Sequence, residues 1–84
     1  MEESLVKQAP KLAWKNRKAM LESASCGCYQ CLAIMSTEDI EEWTDYGTTA
    51  VCPKCGCDCL IPQSSSVPMD EESMKAIRTH WISA

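Results

Sequence analysis

Phenylalanine is absent from this 84-residue chain, which also has only three glycines and one histidine. Without phenylalanine there is little material for an aromatic core, and three glycines do not supply a phosphate-cradling loop. No segment approaches the roughly 20 apolar residues of a membrane span. The N-terminal residues carry dispersed charges and no continuous apolar stretch of the kind found in a secretory signal. We therefore expect a soluble cytoplasmic protein.

Cysteine is what the chain has in excess, with seven residues. A domain of this length buries too little apolar surface to be comfortably stable without a further constraint. Disulfides persist in oxidising compartments, to which nothing in the sequence points, and an odd number of cysteines argues against a framework of disulfide pairs. The cysteines are therefore expected to bind a metal ion that stabilises the fold.

Two C-x-x-C pairs, Cys28 with Cys31 and Cys52 with Cys55, are separated by twenty residues. This spacing is typical of a Cys₄ zinc ribbon or treble clef, in which each pair forms a tight turn, or knuckle, around one ion. Four thiolates complete the tetrahedral coordination of zinc and leave no position for a reactive water. We predict one structural Zn²⁺ per chain, and no enzymatic activity. Gly56 permits the positive φ that such a turn often requires.

Three cysteines remain outside these pairs. Cys26 can replace Cys28 as the partner of Cys31 in a C-x₄-C arrangement. Cys57 and Cys59 alternate after the second pair, which places them on the same side of a strand. They are interpreted as small buried residues, while a second metal site or a redox role stays open as the alternative.

The predicted fold is a small metal-stabilised α+β protein, a zinc-ribbon or treble-clef-like Cys₄ module with flanking N- and C-terminal helices. An N-terminal helical segment covers residues 1–23, with its helix over 10–22 and Pro10 in the first turn. The Cys₄ module covers residues 24–61. A linker over 62–69 is expected to form a mobile loop, because it is rich in serine and proline. The C-terminal helix, over 70–84, has Asp70 as its N-cap. Its apolar stripe is expected to cover the protein's own core, and the alternative is a partner or a second copy of the chain.

Within the module, the apolar residues 32–35 predict a buried strand. Ser36 followed by Asp39 resembles a capping box, which predicts a helix from Thr37 to about Trp43. Residues 45–47 predict a turn, and the β-forming residues 48–51 predict a strand that runs into the second cysteine pair.

Three motifs resemble those of a family of small bacterial and phage-associated cytoplasmic proteins. They are C-G-C-x-x-C at residues 26–31, D-I-x-x-W-x-D at 39–45 and T-A-x-C-P-x-C-G-x-D-x-x-I at 49–61. The resemblance spans residues 24–82 and implies a compact zinc-ribbon-like module with flanking helices and no established enzymatic activity. This chain differs from the family pattern at Cys57 and Cys59, and again at Arg78 and His80.

Five basic residues and no acidic one lie between Lys7 and Lys18, although the whole chain has a net charge of −4. On the predicted N-terminal helix, Lys11, Lys15 and Lys18 form a stripe with Trp14 near its edge. The stripe is either a solvated face with one indole packed on the module, or a surface for a protein partner. Arg78 and Trp81 on the C-terminal helix are a second candidate surface.

The leading hypothesis is a non-enzymatic protein whose zinc module supports a protein–protein interaction surface, as in an adaptor, a regulator or an inhibitor. The alternative is a nucleic-acid or transcription-associated zinc ribbon, which the basic stripe favours and the net negative charge opposes. A third is a rubredoxin-like iron electron carrier, because residues 52–56 are similar to a rubredoxin knuckle. Against it, Leu32 lies where a rubredoxin has glycine.

Overall fold

The computed structural model describes residues 3–82. Residues 1–2 of the predicted N-terminal segment and residues 83–84 of the predicted C-terminal helix lie outside the described residues. The chain is a small α+β protein, as the sequence predicts. Its helices are α1 (Glu3–Leu12), α2 (Arg17–Leu21) and α3 (Glu71–Trp81). Its strands are β1 (Ser25–Cys28), β2 (Ile34–Ser36), β3 (Glu42–Thr44), β4 (Thr49–Val51) and β5 (Leu60–Pro62).

The strands form two antiparallel sheets. One has three strands in the order β2-β1-β5, with Cys26 opposite both Met35 and Pro62. The other pairs β3 with β4, so that Trp43 lies opposite Ala50. Each C-x-x-C pair begins at the end of a strand. Cys28 is the last residue of β1, and Cys52 is the first residue after β4. The two cysteine pairs therefore lie at the ends of strands, one from each sheet, and come close to each other in the fold.

The single helix predicted over residues 10–22 is wrong. Two helices cover this region, and they are separated by residues 13–16. Lys15 has a φ of 47°, which a continuous helix does not allow, and the side chain of Asn16 is buried among backbone groups. Asparagine is disfavoured inside helices because its side-chain amide competes with backbone groups for hydrogen bonds.

Pro10 lies in the last turn of α1 rather than in its first turn. Proline has no N–H group, so the carbonyl of Val6, four residues earlier, loses its usual helical donor. The indole N–H of Trp81 donates to that carbonyl at 2.6 Å. This hydrogen bond joins the end of α3 to α1 and supplies the partner that proline removes.

The helix predicted from Thr37 to Trp43 is also wrong in its extent. Ser36 does accept a hydrogen bond from the N–H of Glu38 at 3.2 Å, but only one 3₁₀ turn, Thr37–Asp39, follows. Ile40 is already extended, and Trp43 lies in β3. Both side chains are partly buried against the core, and Trp43 gains the strand partner Ala50. Tertiary packing thus outweighs the local start signal.

The C-terminal helix agrees with its prediction. The Asp70 side chain accepts a hydrogen bond from the N–H of Ser73 at 2.7 Å and caps α3. Met74 and Ile77 are fully buried in the core. At Gly27 in β1, a Cβ atom would lie 2.8 Å from the Met74 sulfur, so glycine permits the close approach of α3 to the sheet.

The segment predicted as a mobile linker, 62–69, makes several contacts with the rest of the fold. Pro62 belongs to β5, and residues 63–65 form a 3₁₀ turn. The N–H of Ser64 donates to the Ser23 hydroxyl at 3.0 Å, and Val67 is only 2% exposed. Hydrogen bonds of Ser64 to the region of α2 and the burial of Val67 therefore attach this segment to the rest of the fold. Among residues 3–82, no helix is long and apolar enough to cross a membrane.

Candidate metal centre

The first knuckle is built on β1. Cys28 receives a hydrogen bond on its carbonyl from the N–H of Leu32 at 2.8 Å, and its own N–H donates to the carbonyl of Ala33 at 2.9 Å. The N–H of Cys31 points at the Cys28 sulfur, 3.5 Å away. Leu32 completes the turn with a φ of 67°.

The second knuckle repeats this arrangement after β4. The N–H of Gly56 donates to the carbonyl of Cys52 at 2.9 Å, and the N–H of Cys52 donates to the carbonyl of Cys57 at 2.8 Å. Gly56 has a φ of 77°, as the sequence predicts. Two chain segments that differ in sequence therefore form the same turn, and each turn directs two sulfurs to one side.

The four sulfurs of the two knuckles lie within 4.8 Å of one another. The shortest distances run between the knuckles, 3.6 Å from Cys28 to Cys55 and 3.7 Å from Cys31 to Cys52. In a tetrahedral site with metal–sulfur bonds of about 2.3 Å, sulfur atoms are about 3.8 Å apart. The four cysteines can thus hold one metal ion with little movement.

Burial divides the four cysteines in the same way in both knuckles. Cys28 and Cys52, the first cysteine of each pair, are buried, whereas Cys31 and Cys55 are exposed. The site therefore lies at the protein surface with half of its ligand set anchored in the core. This gives the ion a surface route of entry and fixed positions for two ligands.

The thiols of the two buried cysteines differ in acidity. Burial raises the pKa of Cys28, although the N–H groups of Cys31 and Gln30 act in the opposite direction. At Cys52 burial also acts to raise the pKa, but the N–H groups of Cys55 and Lys54, together with neighbouring thiols, outweigh it and leave the pKa below its ordinary value. Of these two ligands, Cys28 depends more on a bound cation for its ionised form.

Cys26 lies outside this group of four. It is fully buried in β1, and burial, with the charges of Cys52 and Asp39, raises the pKa of its thiol to about 11. The environment of Cys26 is that of a small core residue. The structure thus favours Cys28 over Cys26 as the partner of Cys31.

Cys57 and Cys59 also lie outside the group of four, and their sulfurs are bonded to each other. The expected strand is absent here, because β5 begins only at Leu60. The two sulfurs nevertheless meet, although no strand places them there. The prediction of two separate buried thiols is therefore wrong.

The predicted partner residues near the N-terminus occupy two helices and the turn between them. Lys11 is in α1, Lys18 is in α2, and Trp14 and Lys15 form the turn. Trp14 is 56% exposed, and the Lys15 ammonium lies 4.6 Å from the centre of its ring. Lys11, Trp14 and Lys15 border a groove of about 300 Å³ whose lining also includes Ala19 and Pro62.

The second candidate surface lies at the end of α3. Trp81 is 45% exposed, but its indole N–H is engaged with Val6. The Nε of Arg78 is buried and has no hydrogen-bond partner within the part of the chain that the structure describes. Trp81 thus has a structural contact, and a partner role for these two residues stays a prediction.

Sequence reasoning missed Asn16. Its side chain donates to the carbonyls of Leu12 at 3.1 Å and Leu60 at 2.9 Å, and accepts from the N–H of Ala50 at 3.1 Å. Asn16 thereby joins α1, β4 and β5, next to both sheets that carry the knuckles. The sequence did contain a signal for this role, because Asn16 lies in the middle of the predicted helix, where asparagine is disfavoured.

Fold and site together define a small α+β protein with a Cys₄ cluster that can hold a metal ion. Comparison of the chain with protein-family models, with curated proteins and with solved structures found no match. The family resemblance therefore stays an expectation that rests on the three sequence motifs.

Proposed function

We propose that this chain is a small non-enzymatic zinc protein in which a zinc-ribbon-like module supports a surface that binds an acidic region of a partner protein. One Zn²⁺ is held by the thiolates of the Cys₄ cluster. The surface is the Trp14 patch, which consists of Lys11, Trp14, Lys15 and Lys18. The observation that carries the proposal is the exposure of Trp14 beside Lys15 on a turn whose backbone is fixed from both sides.

Support for a structural zinc comes from the donor set and its spacing. Four thiolates with sulfur–sulfur distances near those of a tetrahedron suit Zn²⁺ and leave no open coordination position. The same set also binds iron in rubredoxin-like sites, so elemental analysis of the purified protein separates the two. One equivalent of zinc in a colourless protein supports the proposal, and a coloured iron protein contradicts it.

Backbone hydrogen bonds hold the turn that presents Trp14. The N–H of Lys15 donates to the Thr49 hydroxyl at 2.8 Å, and the N–H of Arg17 donates to the carbonyl of Thr48 at 3.0 Å. Asn16 between them is tied to β4 and β5. An indole on a fixed backbone loses little conformational entropy when it is buried in an interface.

Charge favours an acidic partner. The Trp14 patch has three lysines and no carboxylate, within a run of residues, 7–18, that has no acidic member. A local positive region of this kind steers an acidic surface into contact. The net charge of −4 on the whole chain makes nucleic acid the weaker candidate, because binding to phosphates draws on a broad basic surface.

The test compares a patch variant with a charge-matched control. The patch variant combines Trp14→Ala with Lys11→Glu and Lys15→Glu. The control carries Lys7→Glu and Lys75→Glu, which change the net charge equally at two exposed positions outside the patch and away from the knuckles. Tagged zinc-loaded proteins are used for capture from the native host, and the captured proteins are identified by mass spectrometry.

We expect an acidic protein that is captured by the wild type and the control and lost from the patch variant, with zinc content and thermal stability unchanged in all three. Loss of folding in the patch variant would assign Trp14 to the core and contradict the proposal. Equal capture by all three proteins would also contradict it. Salt-sensitive binding of a single-stranded oligonucleotide that depends on the patch would establish the nucleic-acid alternative instead.

A further inference from the structure

Outside the Cys₄ cluster, the chain has a pair of cysteines in the turn 57–59. Cys57 and Cys59 are two residues apart, their sulfurs are bonded, and their Cα atoms are 5.3 Å apart. This Cα separation is within the range of ordinary disulfides. Neither residue belongs to the group of four metal-binding cysteines. The proposed metal site thus leaves this pair available for other chemistry.

The two sulfurs differ in access. Cys57 is partly exposed, whereas Cys59 is buried and only 7% exposed. A reagent from solution can therefore reach Cys57 and not Cys59. This is the arrangement of an attacking thiol followed by a resolving thiol, in which the buried partner acts only within the chain.

The same turn connects both knuckles of the metal centre. The carbonyl of Cys57 accepts the N–H of Cys52 at 2.8 Å, and the carbonyl of Cys59 accepts the N–H of Tyr29 at 3.2 Å. One end of the pair thus contacts the second knuckle, and the other end contacts the first. A bond between the two sulfurs restrains the backbone segment that holds these two contacts.

We propose that Cys57 and Cys59 form a redox site that exchanges two electrons with a low-molecular-weight disulfide of the glutathione type. The sulfur of Cys57 releases its proton to solvent and attacks one sulfur of the small disulfide. That disulfide bond breaks, one small thiolate leaves and takes up a proton, and a mixed disulfide forms on Cys57. The sulfur of Cys59 then attacks the Cys57 sulfur and expels the second small thiol.

The overall reaction is balanced. Two protein thiols are oxidised to one intrachain disulfide, one small disulfide is reduced to two small thiols, and the two protons pass to the leaving thiols. The reverse reaction with the small thiol restores the dithiol. The Cys₄ cluster keeps its metal ion throughout, because none of its sulfurs takes part.

The test uses the full chain with its metal bound, equilibrated in buffers of varied ratio of reduced to oxidised glutathione. Free thiols are trapped by alkylation and located by fragmentation of the peptide that contains residues 55–75, and metal content is measured in parallel. We expect Cys57 and Cys59 to change together from alkylated to disulfide-bonded as the ratio falls, reversibly, while the metal content stays constant.

Single variants separate the two roles. Cys59→Ser should stop at the mixed disulfide and gain the mass of one glutathione on Cys57, whereas Cys57→Ser should gain none at Cys59. The double variant Cys57→Ser with Cys59→Ser should keep its full metal content and show no response to glutathione. These two measurements do not depend on the partner surface, so they stand if the Trp14 patch fails its own test.

Three results would overturn the inference. Both cysteines could stay alkylated across the whole range of ratios. Oxidation could appear only after metal release, which would place the reactive thiols in the Cys₄ cluster. The wild type could bind a second equivalent of metal that the double variant lacks, which would make Cys57, Asp58 and Cys59 metal ligands.

Discussion

The two knuckles share a backbone pattern and differ at the residue after the second cysteine. Gly56 takes the left-handed conformation in the second knuckle, where a Cβ atom would meet nothing within 4 Å. Leu32 takes the same conformation in the first knuckle, with a φ of 67°. For a residue with a side chain this conformation costs about 1–2 kcal/mol.

Packing offers a physical reason why leucine is tolerated in the first knuckle. Leu32 is partly buried and packs against the hydrophobic core, and the β1 strand that leads to its knuckle is the central strand of three. The second knuckle follows β4, which pairs only with β3 among the described strands. A strained turn is thus found where the core offsets its cost, while the turn nearer the solvent has glycine.

The largest expected effect is the loss of a ligand from either knuckle. Cys28→Ser or Cys52→Ser should abolish metal binding and unfold the chain, because structural zinc supplies about 10–16 kcal/mol in small zinc domains. Elemental analysis and circular dichroism measure the two effects. Cys26→Ala is the control and should keep the metal. Metal loss from Cys26→Ala together with retention by Cys28→Ser would show that the first knuckle uses the other cysteine.

Acidification should weaken metal binding, because protons compete with the metal ion for the thiolates. The raised pKa of Cys28 keeps its proton in place at neutral pH, so the metal ion must displace that proton, whereas the lowered pKa of Cys52 makes this step easier. Lower pH therefore favours the protonated, metal-free form. Calorimetric titration in buffers of different ionisation enthalpy measures the protons released. An affinity independent of pH would contradict the expectation.

Asn16→Leu should destabilise the zinc-loaded protein by about 2–4 kcal/mol, because it leaves the Ala50 N–H and the Leu60 carbonyl without this buried partner. The loss affects β4, and hence the second knuckle, more than β1. Urea unfolding measures the stability, and the rate of metal transfer to a chelator measures the loosening of the site. The control Lys18→Ala, at an exposed neighbouring position, should change stability by less than about 0.5 kcal/mol. Equal stability of the two variants would show that the hydrogen bonds of Asn16 do not stabilise the fold.

The smallest expected effect is at the turn residue itself. Gly56→Ala should lower the free energy of unfolding by about 1–2 kcal/mol. The left-handed backbone conformation disfavours alanine, whereas the new methyl group meets no clash. Gly56→Asn should lower the free energy of unfolding by clearly less than Gly56→Ala, since asparagine adopts the left-handed conformation more readily than alanine. Thermal unfolding of the zinc-loaded variants measures both. If alanine and asparagine had equal effects, the backbone conformation would not be the cause.

Local patterns predicted the parts of the molecule whose causes are local. The C-x-x-C spacing predicts a turn of fixed size, so it identified Cys28, Cys31, Cys52 and Cys55 as a group, and the positive φ of Gly56 follows from the same turn. The cap at Asp70 and the apolar spacing of α3 are likewise set within one helix. These features depend on neighbours a few residues away.

The errors arose where residues outside the local pattern compete with it. Residues 10–22 have helical spacing, yet Asn16 finds hydrogen-bond partners in β4 and β5, more than 30 residues away, and the helix breaks there. Ser36 begins a helical turn, yet Trp43 gains a partner in β4 and the chain becomes a strand. A one-dimensional pattern does not include these partners, because they become neighbours only when the sheets form.

The sequence by itself therefore determined which cysteines form a metal-binding group, and that the fold mixes helices with short strands. Only the tertiary structure decided how the N-terminal segment is divided and which residue joins the two sheets. The physical reason is the range of the interactions. Ligand spacing and helix caps act within a few residues, whereas Leu60 and Ala50, which bond Asn16, and Val6, which bonds Trp81, lie far from these residues in the chain and come close to them only in the folded state.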